Sequence, residues 1–256
     1  FASVRKLKLG GWMKVYEYLE DLPEDVKDQA HNPEERKISS SDFDVFINYK
    51  NIHPQIVNDS IQPKAKIVSW DIECYSKNHD SKLPNADIKE NEVIQISVVS
   101  CFARDPEIMW KKYLLTLKKG IDLKIEGTKI FHFDDEKSLL LGFTKIINQI
   151  NPDILIGYNI LKFDWDYLIK RADKLGIYYE FVQLNKLYDT SAKKIKKEWA
   201  SSAYGKQDFE FLECQGRLNI DVLIEIERNH KFDKYTLDFV SEHFLKDNKK
   251  EVSPKQ

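Results

Sequence analysis

Short stretches of strand-forming residues, bounded by polar segments, predict four strands in the middle of the chain. They lie at residues 67–73, 93–102, 112–117 and 129–133. The segment Arg104-Asp105-Pro106 between the second and third strands is typical of a turn, so we expect these two strands to be antiparallel neighbours. The polar stretch 76–91 predicts a surface loop after the first strand.

Beyond residue 133 the apolar spacing changes to that of helices alternating with strands. The acidic residues 134–136 favour a helix start, where the free N–H groups and the helix dipole stabilise negative charge. One face of this helix consists of Leu139, Leu140, Phe143, Ile146, Ile147 and Ile150. Further helices are predicted at about 164–175, 222–228 and 235–245, and further strands at 154–157 and 217–221. This order predicts an α/β domain with a mixed β-sheet flanked by helices.

The first 62 residues carry a weaker pattern. Strand-like segments at 11–16 and 43–47 predict part of a small β-rich N-terminal domain, and the charged stretch 32–37 predicts a loop or a short solvated helix. Pro63 precedes the first strong strand and cannot donate to a β-ladder, so we place the domain boundary there. The predicted domains are therefore 1–62 and 63–256.

The composition is that of a globular protein. The 256 residues are 42% hydrophobic and 32% charged, with a formal net charge of −2. The chain has no overall positive charge that would indicate nucleic-acid binding. In a nucleic-acid enzyme, however, bound metal ions can supply the local positive charge. Three widely spaced cysteines, without a Cys-x-x-Cys pair, indicate reduced thiols. No apolar run has membrane-spanning length and no signal peptide opens the chain. We therefore expect an intracellular protein that is not secreted and does not bind a membrane.

Two acidic residues interrupt the first strong strand. Side chains alternate along a strand, so Asp71 and Glu73 share one face while Ile72 points to the other. Neighbouring carboxylates resist joint ionisation, which a shared proton or a bound cation relieves. Oxygen ligands at this spacing suit Mg²⁺ or Mn²⁺, and the commoner alternative is a solvated sheet rim.

A third acid, Asp164, follows the strand at 154–157 and opens a helix. Ligand sites on open α/β sheets collect where strands end and helices begin, but an ordinary helix N-cap also explains an acid there. Other features favour structural roles. The lysine run 193–197 could contact a DNA backbone, but we predict a solvated helix face. Asp221 could line the same cleft, but we predict a helix cap. Trp165 and Tyr167 could stack on bases, but we predict core residues.

Taken together, these motifs resemble those of family B DNA polymerases. Asp71-Ile72-Glu73 resembles the first exonuclease motif of the family, and Asn159-x-x-x-Phe163-Asp164 resembles the second. The segments 216–221 and 235–245 are similar to stretches of delta-type polymerases, and 201–205 to versions found in large DNA viruses. The resemblance covers about residues 63–252, and several motifs in order are more specific than one.

The resemblance implies an RNase H-like 3′-5′ proofreading exonuclease domain of a replicative polymerase, acting on a single-stranded DNA end. It implies that two Mg²⁺ or Mn²⁺ ions are held by Asp71, Glu73 and Asp164, and that Asn159 and Phe163 contact the terminal nucleotides. It also implies primer-template DNA, the remaining polymerase domains and a sliding clamp as partners, in the nucleus or at a viral replication site.

The family's third exonuclease motif, a Tyr followed four residues later by a metal-binding Asp, has no counterpart in the expected place. Tyr204 and Asp208 have that spacing, but they lie before Gly216 in a stretch that reads as a loop or hairpin, and we reject the match. Polymerase palm motifs are absent as well. We therefore expect a fragment with an incomplete exonuclease site. The alternatives are a free-standing DEDD-type nuclease and a non-catalytic, exonuclease-like domain that guides DNA.

Overall fold

The computed structural model describes residues 13–19, 38–55, 63–76, 84–117, 124–201 and 205–247. The chain divides into two compact units. The first comprises Phe1–Lys64 together with Lys186–Asp189, and the second comprises Ala65–Asn185 together with Thr190–Gln256.

The first unit contains a small antiparallel pair of strands, β1 (Met13–Val15) and β2 (Ile52–Pro54). The predicted strand at 43–47 is wrong, since only Phe46 pairs there, in an isolated bridge to Leu19. The carboxylate of Asp44 instead accepts hydrogen bonds from the N–H groups of Ile38 and Ser39, at 3.0 and 3.2 Å, which folds this segment back on itself. The predicted loop or helix at 32–37 lies outside the described residues.

The second unit is built on a six-stranded sheet. Its strands are β3 (Lys66–Cys74), β4 (Val93–Phe102), β5 (Lys111–Leu117), β6 (Thr128–Phe133), β7 (Ile154–Gly157) and β10 (Leu218–Asp221). Their order across the sheet is β10-β7-β3-β4-β5-β6. The pairs β3–β4 and β4–β5 are antiparallel, and the other three pairs are parallel. The mixed sheet and the antiparallel neighbours are as predicted, and they agree with an RNase H-like domain.

Five α-helices and a hairpin accompany the sheet within the described residues. The helices are α1 (Glu136–Ile150), α2 (Asp164–Lys174), α3 (Tyr178–Phe181), α4 (Val222–Asn229) and α5 (Leu237–Leu245). The hairpin consists of β8 (Lys193–Ser201) and β9 (Gly205–Glu213). Helix α5 begins two residues later than predicted, because the Thr236 hydroxyl caps it by accepting from the Phe239 N–H.

The lysine run 193–197 was predicted as a helix face, and this is wrong because it belongs to strand β8. Alternation along the strand puts Lys194 and Lys196 on one side, and both pair with Glu210 on β9. Glu210 lies directly opposite Lys196 in the hairpin register. A single carboxylate on the partner strand thus offsets the repulsion between two lysines.

The core lies between β3 and the helices α1 and α2. Val68, Trp70 and Ile72 on β3 are buried, while Asp71 and Glu73 are exposed, which confirms the predicted alternation of faces. Trp70 packs against Trp165 of α2 and Phe143 of α1, with ring centroids 4.7 and 5.2 Å apart. Trp165 and Tyr167 are both buried, as predicted. These aromatic contacts fix α2, and hence Asp164, against the strand that carries Asp71.

Candidate active site

The site lies where strand β7 ends beside strand β3. β7 pairs with β3 only through residues Ile67 to Ser69, so the edge of β3 from Trp70 onward is open to the turn that follows β7. Gly157 ends β7, and a Cβ atom there would lie 2.8 Å from the Trp70 carbonyl oxygen. A residue without a side chain therefore lets the turn start in contact with the β3 backbone, next to Asp71.

The turn after Gly157 has a defined shape. Asn159 adopts a left-handed conformation with φ of 64°, which Asn tolerates better than most residues. Its carbonyl accepts from the N–H groups of Lys162 and Phe163, both at 3.2 Å. Helix α2 then begins at Asp164. The second predicted motif is therefore a tight turn that leads directly into a helix.

Asp164 is the buried member of the acidic set, with only 3% of its surface exposed. Phe163, not Asp164, is the N-cap of α2, so the interpretation of Asp164 as an ordinary N-cap is wrong. Its carboxylate accepts from the N–H groups of Ile72 and of Asp164 itself. Burial, followed by the charge of Asp71, raises the pKa of Asp164 to about 7, even though these hydrogen bonds lower it.

Asp71 and Glu73 flank Ile72 on the exposed face of β3. Cys74 lies within the influence of the same charges. Burial raises the pKa of its thiol, and the charges of Asp164 and Glu73 raise it further. The structure therefore brings the first and second motifs to one edge of the sheet. Across the part of the chain that is described, however, no group of three or more His, Cys, Asp or Glu side chains is arranged closely enough to hold a metal ion.

The donor set nevertheless has the chemistry that a divalent cation requires. Asp71 and Asp164 are hard oxygen donors whose negative charges oppose each other, as the raised pKa of Asp164 records. A cation between such groups replaces repulsion with attraction and favours the ionised form of both. The residues present therefore fit a divalent cation, with Glu73 as a further donor on the same face of β3.

Asn159 and Phe163 lie on the turn and are each partly exposed. Phe163 packs against Tyr167, with ring centroids 5.5 Å apart, and the Tyr167 hydroxyl donates to the Asn91 carbonyl at 2.8 Å. The N–H of Glu210 on β9 donates to the Leu161 carbonyl at 3.0 Å. The turn is thus bounded by the hairpin on one side and by the end of the 84–91 loop on the other.

Two structural supports of the site were not recognised from the sequence. Glu136 and Arg171 form a buried ion pair, in which Arg171 Nε lies 2.8 Å from Glu136 Oε1. The Arg171 Nη atoms also donate to carbonyls of the 84–91 loop. An arginine on the buried face of an amphipathic helix was the available signal. The second support is Asp221, for which a helix cap was predicted and a place in the same cleft was the alternative; its hydrogen bonds to the turn were not predicted.

A cavity of about 290 Å³ lies at the other end of the same sheet. Its lining includes Lys66, Phe102, Tyr113 and Lys129. Lys66 is the first residue of β3, and at about 3.3 Å per residue it lies roughly 17 Å from Asp71 and roughly 23 Å from Glu73 along the strand. This cavity is therefore separate from the candidate active site.

The family model described as DNA polymerase family B, exonuclease domain, matches residues 1–240. The chain belongs to this family. Both motifs at the sheet edge lie within the matched residues of this exonuclease domain, and so do the first 62 residues of the chain. The resemblance drawn from the motifs is thus confirmed.

Curated relatives include viral and cellular polymerases. DNA polymerase 037L of Invertebrate iridescent virus 6 is 32% identical over 232 residues, covering 87% of this chain and 18% of the relative. The DNA polymerase delta catalytic subunit of Plasmodium falciparum is 32% identical over 219 residues, covering 85% and 20%. That of Arabidopsis thaliana is 34% identical over 188 residues, covering 73% and 16%. The chain thus spans about a fifth of the length of these relatives.

Two of the broader predictions can also be compared with the structure. Cys74, Cys101 and Cys214 are all free thiols. None of the helices in the described ranges is both long enough and apolar enough to span a bilayer.

Proposed function

We propose that this exonuclease domain carries out proofreading in a replicative DNA polymerase, by 3′-5′ hydrolysis of the terminal phosphodiester of single-stranded DNA. The observation that carries the proposal is the position of Asp164, which is buried against the β3 backbone between Asp71 and Glu73 and is electrostatically coupled to Asp71. In this proposal residues 63–256 belong to the exonuclease domain and residues 1–62 to a partial N-terminal domain.

The proposed metal ligands are Asp71, Glu73 and Asp164, which would hold two Mg²⁺ or Mn²⁺ ions. Such ions would lower the pKa of an attacking water and neutralise charge on the attacking and leaving oxygens at the scissile phosphate. The protein's part would be to hold three carboxylates together at one sheet edge. Without a cation, a pKa of about 7 leaves Asp164 partly protonated at neutral pH, so cation binding and ionisation of Asp164 favour each other.

The turn would hold the 3′ end of the substrate. The Asn159 side-chain amide offers two donors and an acceptor to a nucleotide, and the partly exposed Phe163 ring offers a surface for a sugar or base. Because Asp164 follows Phe163 directly, nucleotides held by the turn would lie next to the acidic cluster. Positioning of the terminal phosphate would therefore depend on the same few residues as cation binding.

The wider setting follows from the family and from the named relatives. We propose single-stranded 3′ ends and primer-template DNA as the nucleic-acid partners, and further polymerase domains and a sliding clamp as the protein partners. The proposed location is the nucleus or a viral replication site inside a host cell.

The experiment is a time course of the shortening of 5′-labelled single-stranded DNA, with and without Mg²⁺. It uses the full-length protein, meaning the whole polymerase that contains this chain. Stepwise shortening from the 3′ end should require Mg²⁺ and fall by roughly 10³-fold or more in Asp71→Ala. Asp135→Asn is the matched control, because Asp135 is an exposed residue that caps α1 by accepting from the Ser138 N–H. Shortening that survives Asp71→Ala would refute the proposal, and DNA binding without any shortening would favour a non-catalytic guiding role.

A further inference from the structure

Asp221 makes more hydrogen bonds than a helix cap requires. It is the last residue of β10, it is 97% buried, and it is the N-cap of α4, where its Oδ1 accepts from the Leu223 N–H at 3.0 Å. The same carboxylate accepts from the N–H of Asn159 at 2.8 Å and from the N–H of Leu161 at 3.0 Å. These two donors lie about sixty positions earlier in the chain, in the turn of the candidate active site.

The strand register explains how one side chain reaches both segments. β10 and β7 are parallel, and Asp221 is the register partner of Gly157. Both strands therefore end at the same edge of the sheet, one leading into α4 and the other into the turn. A carboxylate at the end of β10 can accept from free N–H groups of both segments, and hydrogen bonds to a charged acceptor are the stronger kind.

The two bonds to the turn fall where its backbone is least favourable. Asn159 has a positive φ of 64°, a conformation that costs a non-glycine residue free energy unless its surroundings enforce it. Asp221 holds the N–H groups of Asn159 and Leu161, which immediately precede Lys162, Phe163 and Asp164. Loss of these bonds would release the turn ahead of the residues that carry the proposed chemistry.

We propose that Asp221 is a positioning residue for the exonuclease reaction. It fixes the turn that places Asn159 and Phe163 on the DNA end and Asp164 beside Asp71. This inference rests on the proposed function. Asp221 itself need not touch DNA or the cations, and its effect on the reaction passes through the turn.

The competing explanation is that Asp221 only caps α4, and three substitutions separate the two roles. Asp221→Ser keeps a hydroxyl that caps a helix well but is too short to reach the turn as well. Asp221→Asn keeps the shape and one acceptor oxygen, and places an N–H₂ group where the second oxygen accepted a bond. Asp221→Ala removes both functions.

The test measures kcat and KM of the full-length protein on 5′-labelled single-stranded DNA, together with the thermal midpoint of each variant. We expect kcat to fall about 10²-fold in Asp221→Ser and Asp221→Ala alike, and by less in Asp221→Asn, since misplacement by an ångström is costly at a reacting centre. The thermal midpoint of Asp221→Ser should exceed that of Asp221→Ala, because the cap remains. Asp135→Asn, at the exposed cap of α1, should keep the wild-type kcat.

Wild-type kcat in Asp221→Ser, with a loss in Asp221→Ala, would overturn the inference in favour of a cap alone. Wild-type kcat in the isosteric Asp221→Asn and in Asp221→Ser together would overturn it as well, whatever happens to the folding of the alanine variant. Asp71→Ala, measured in parallel, distinguishes a failure of the inference from a failure of the proposed function, because only the latter leaves that variant active.

Discussion

The backbone N–H of Ile72 donates a hydrogen bond to the carboxylate of Asp164, ninety-two positions later in the chain. Ile72 stands between Asp71 and Glu73 on β3, so this bond joins the first exonuclease motif to the second. The strand-edge N–H would otherwise be unsatisfied, since β7 pairs with β3 only as far as Ser69. The carboxylate that we propose as a metal ligand thus also accepts a hydrogen bond from the unpaired edge of β3.

The raised pKa of Asp164 predicts an unusual pH dependence of stability in the absence of divalent cations. An ordinary Asp has a pKa of 3.8, and burial with the charge of Asp71 raises that of Asp164 to about 7. Between these values the folded state binds the proton and the unfolded state does not, so stability falls as pH rises from about 4 to 7. The slope contributed by this group approaches 1.4 kcal/mol per pH unit.

Chemical denaturation of the chain in EDTA at pH 5, 6, 7 and 8 checks this. Asp164→Asn removes the titrating group and keeps its shape, so its free energy of unfolding should decline less across the series than that of the wild type. Parallel curves for the two proteins would contradict the predicted role of Asp164. Addition of Mg²⁺ at pH 8 should stabilise the wild type more than Asp164→Asn.

The buried ion pair between Glu136 and Arg171 should be costly to break from one side. Both side chains are 2% exposed, and Glu136 Oε1 also accepts from the Val93 N–H at 2.9 Å. Arg171→Met leaves this carboxylate buried without its partner, so we expect a loss of about 3–5 kcal/mol in the free energy of unfolding, measured with urea.

Lys170→Met is the matched control, at the residue immediately before Arg171 in the same helix. Its ion pair with Asp166 spans 2.6 Å but is solvent-accessible, so the loss should stay within about 1 kcal/mol. Equal effects of the two substitutions would show that Arg171 is not needed to anchor the 84–91 loop.

The close approach of Gly157 to β3 predicts that even a methyl group there is harmful. A Cβ atom would lie 2.8 Å from the Trp70 carbonyl oxygen and 2.4 Å from Ile160 Cγ2, and the backbone oxygen cannot rotate away. Gly157→Ala should lose about 1–3 kcal/mol of stability and most of the exonuclease activity.

Gly142→Ala provides the comparison for this prediction. The three atoms nearest to its Cβ would all belong to the ring of Phe133, a side chain rather than backbone, and alanine favours the helix α1 that contains it. We expect near-normal exonuclease activity in this variant. A Gly157→Ala protein with wild-type kcat would mean that the turn tolerates displacement.

What the sequence predicted well is local, and what it missed is long-range. The faces of β3 and the helix start at Glu136 follow from neighbouring residues. The shared exposed face of Asp71 and Glu73 was therefore predictable. The bonds from Asp164 to Ile72 and from Asp221 to Asn159 join positions more than sixty apart, and no pattern in the sequence encodes them.

The wrong predictions have the same origin. A lysine run by itself indicates a solvated helix, whereas residues 193–197 form a strand that pairs with β9, where Glu210 binds two of the lysines. The segment 43–47 has strand-like composition, but the hydrogen bonds of Asp44 to Ile38 and Ser39 exclude a regular ladder there. In both cases a contact outside the local window decides the conformation.

A double-mutant cycle between Asp71 and Asp164 tests the proposed active site most directly. The measurement is kcat for Mg²⁺-dependent 3′-5′ hydrolysis of single-stranded DNA by the full-length protein carrying Asp71→Asn, Asp164→Asn or both. If the two carboxylates act as one cation-dependent unit, the double variant will be no slower than the slower single variant. Losses that multiply, so that the double variant shows the product of the two single effects, would contradict a shared site.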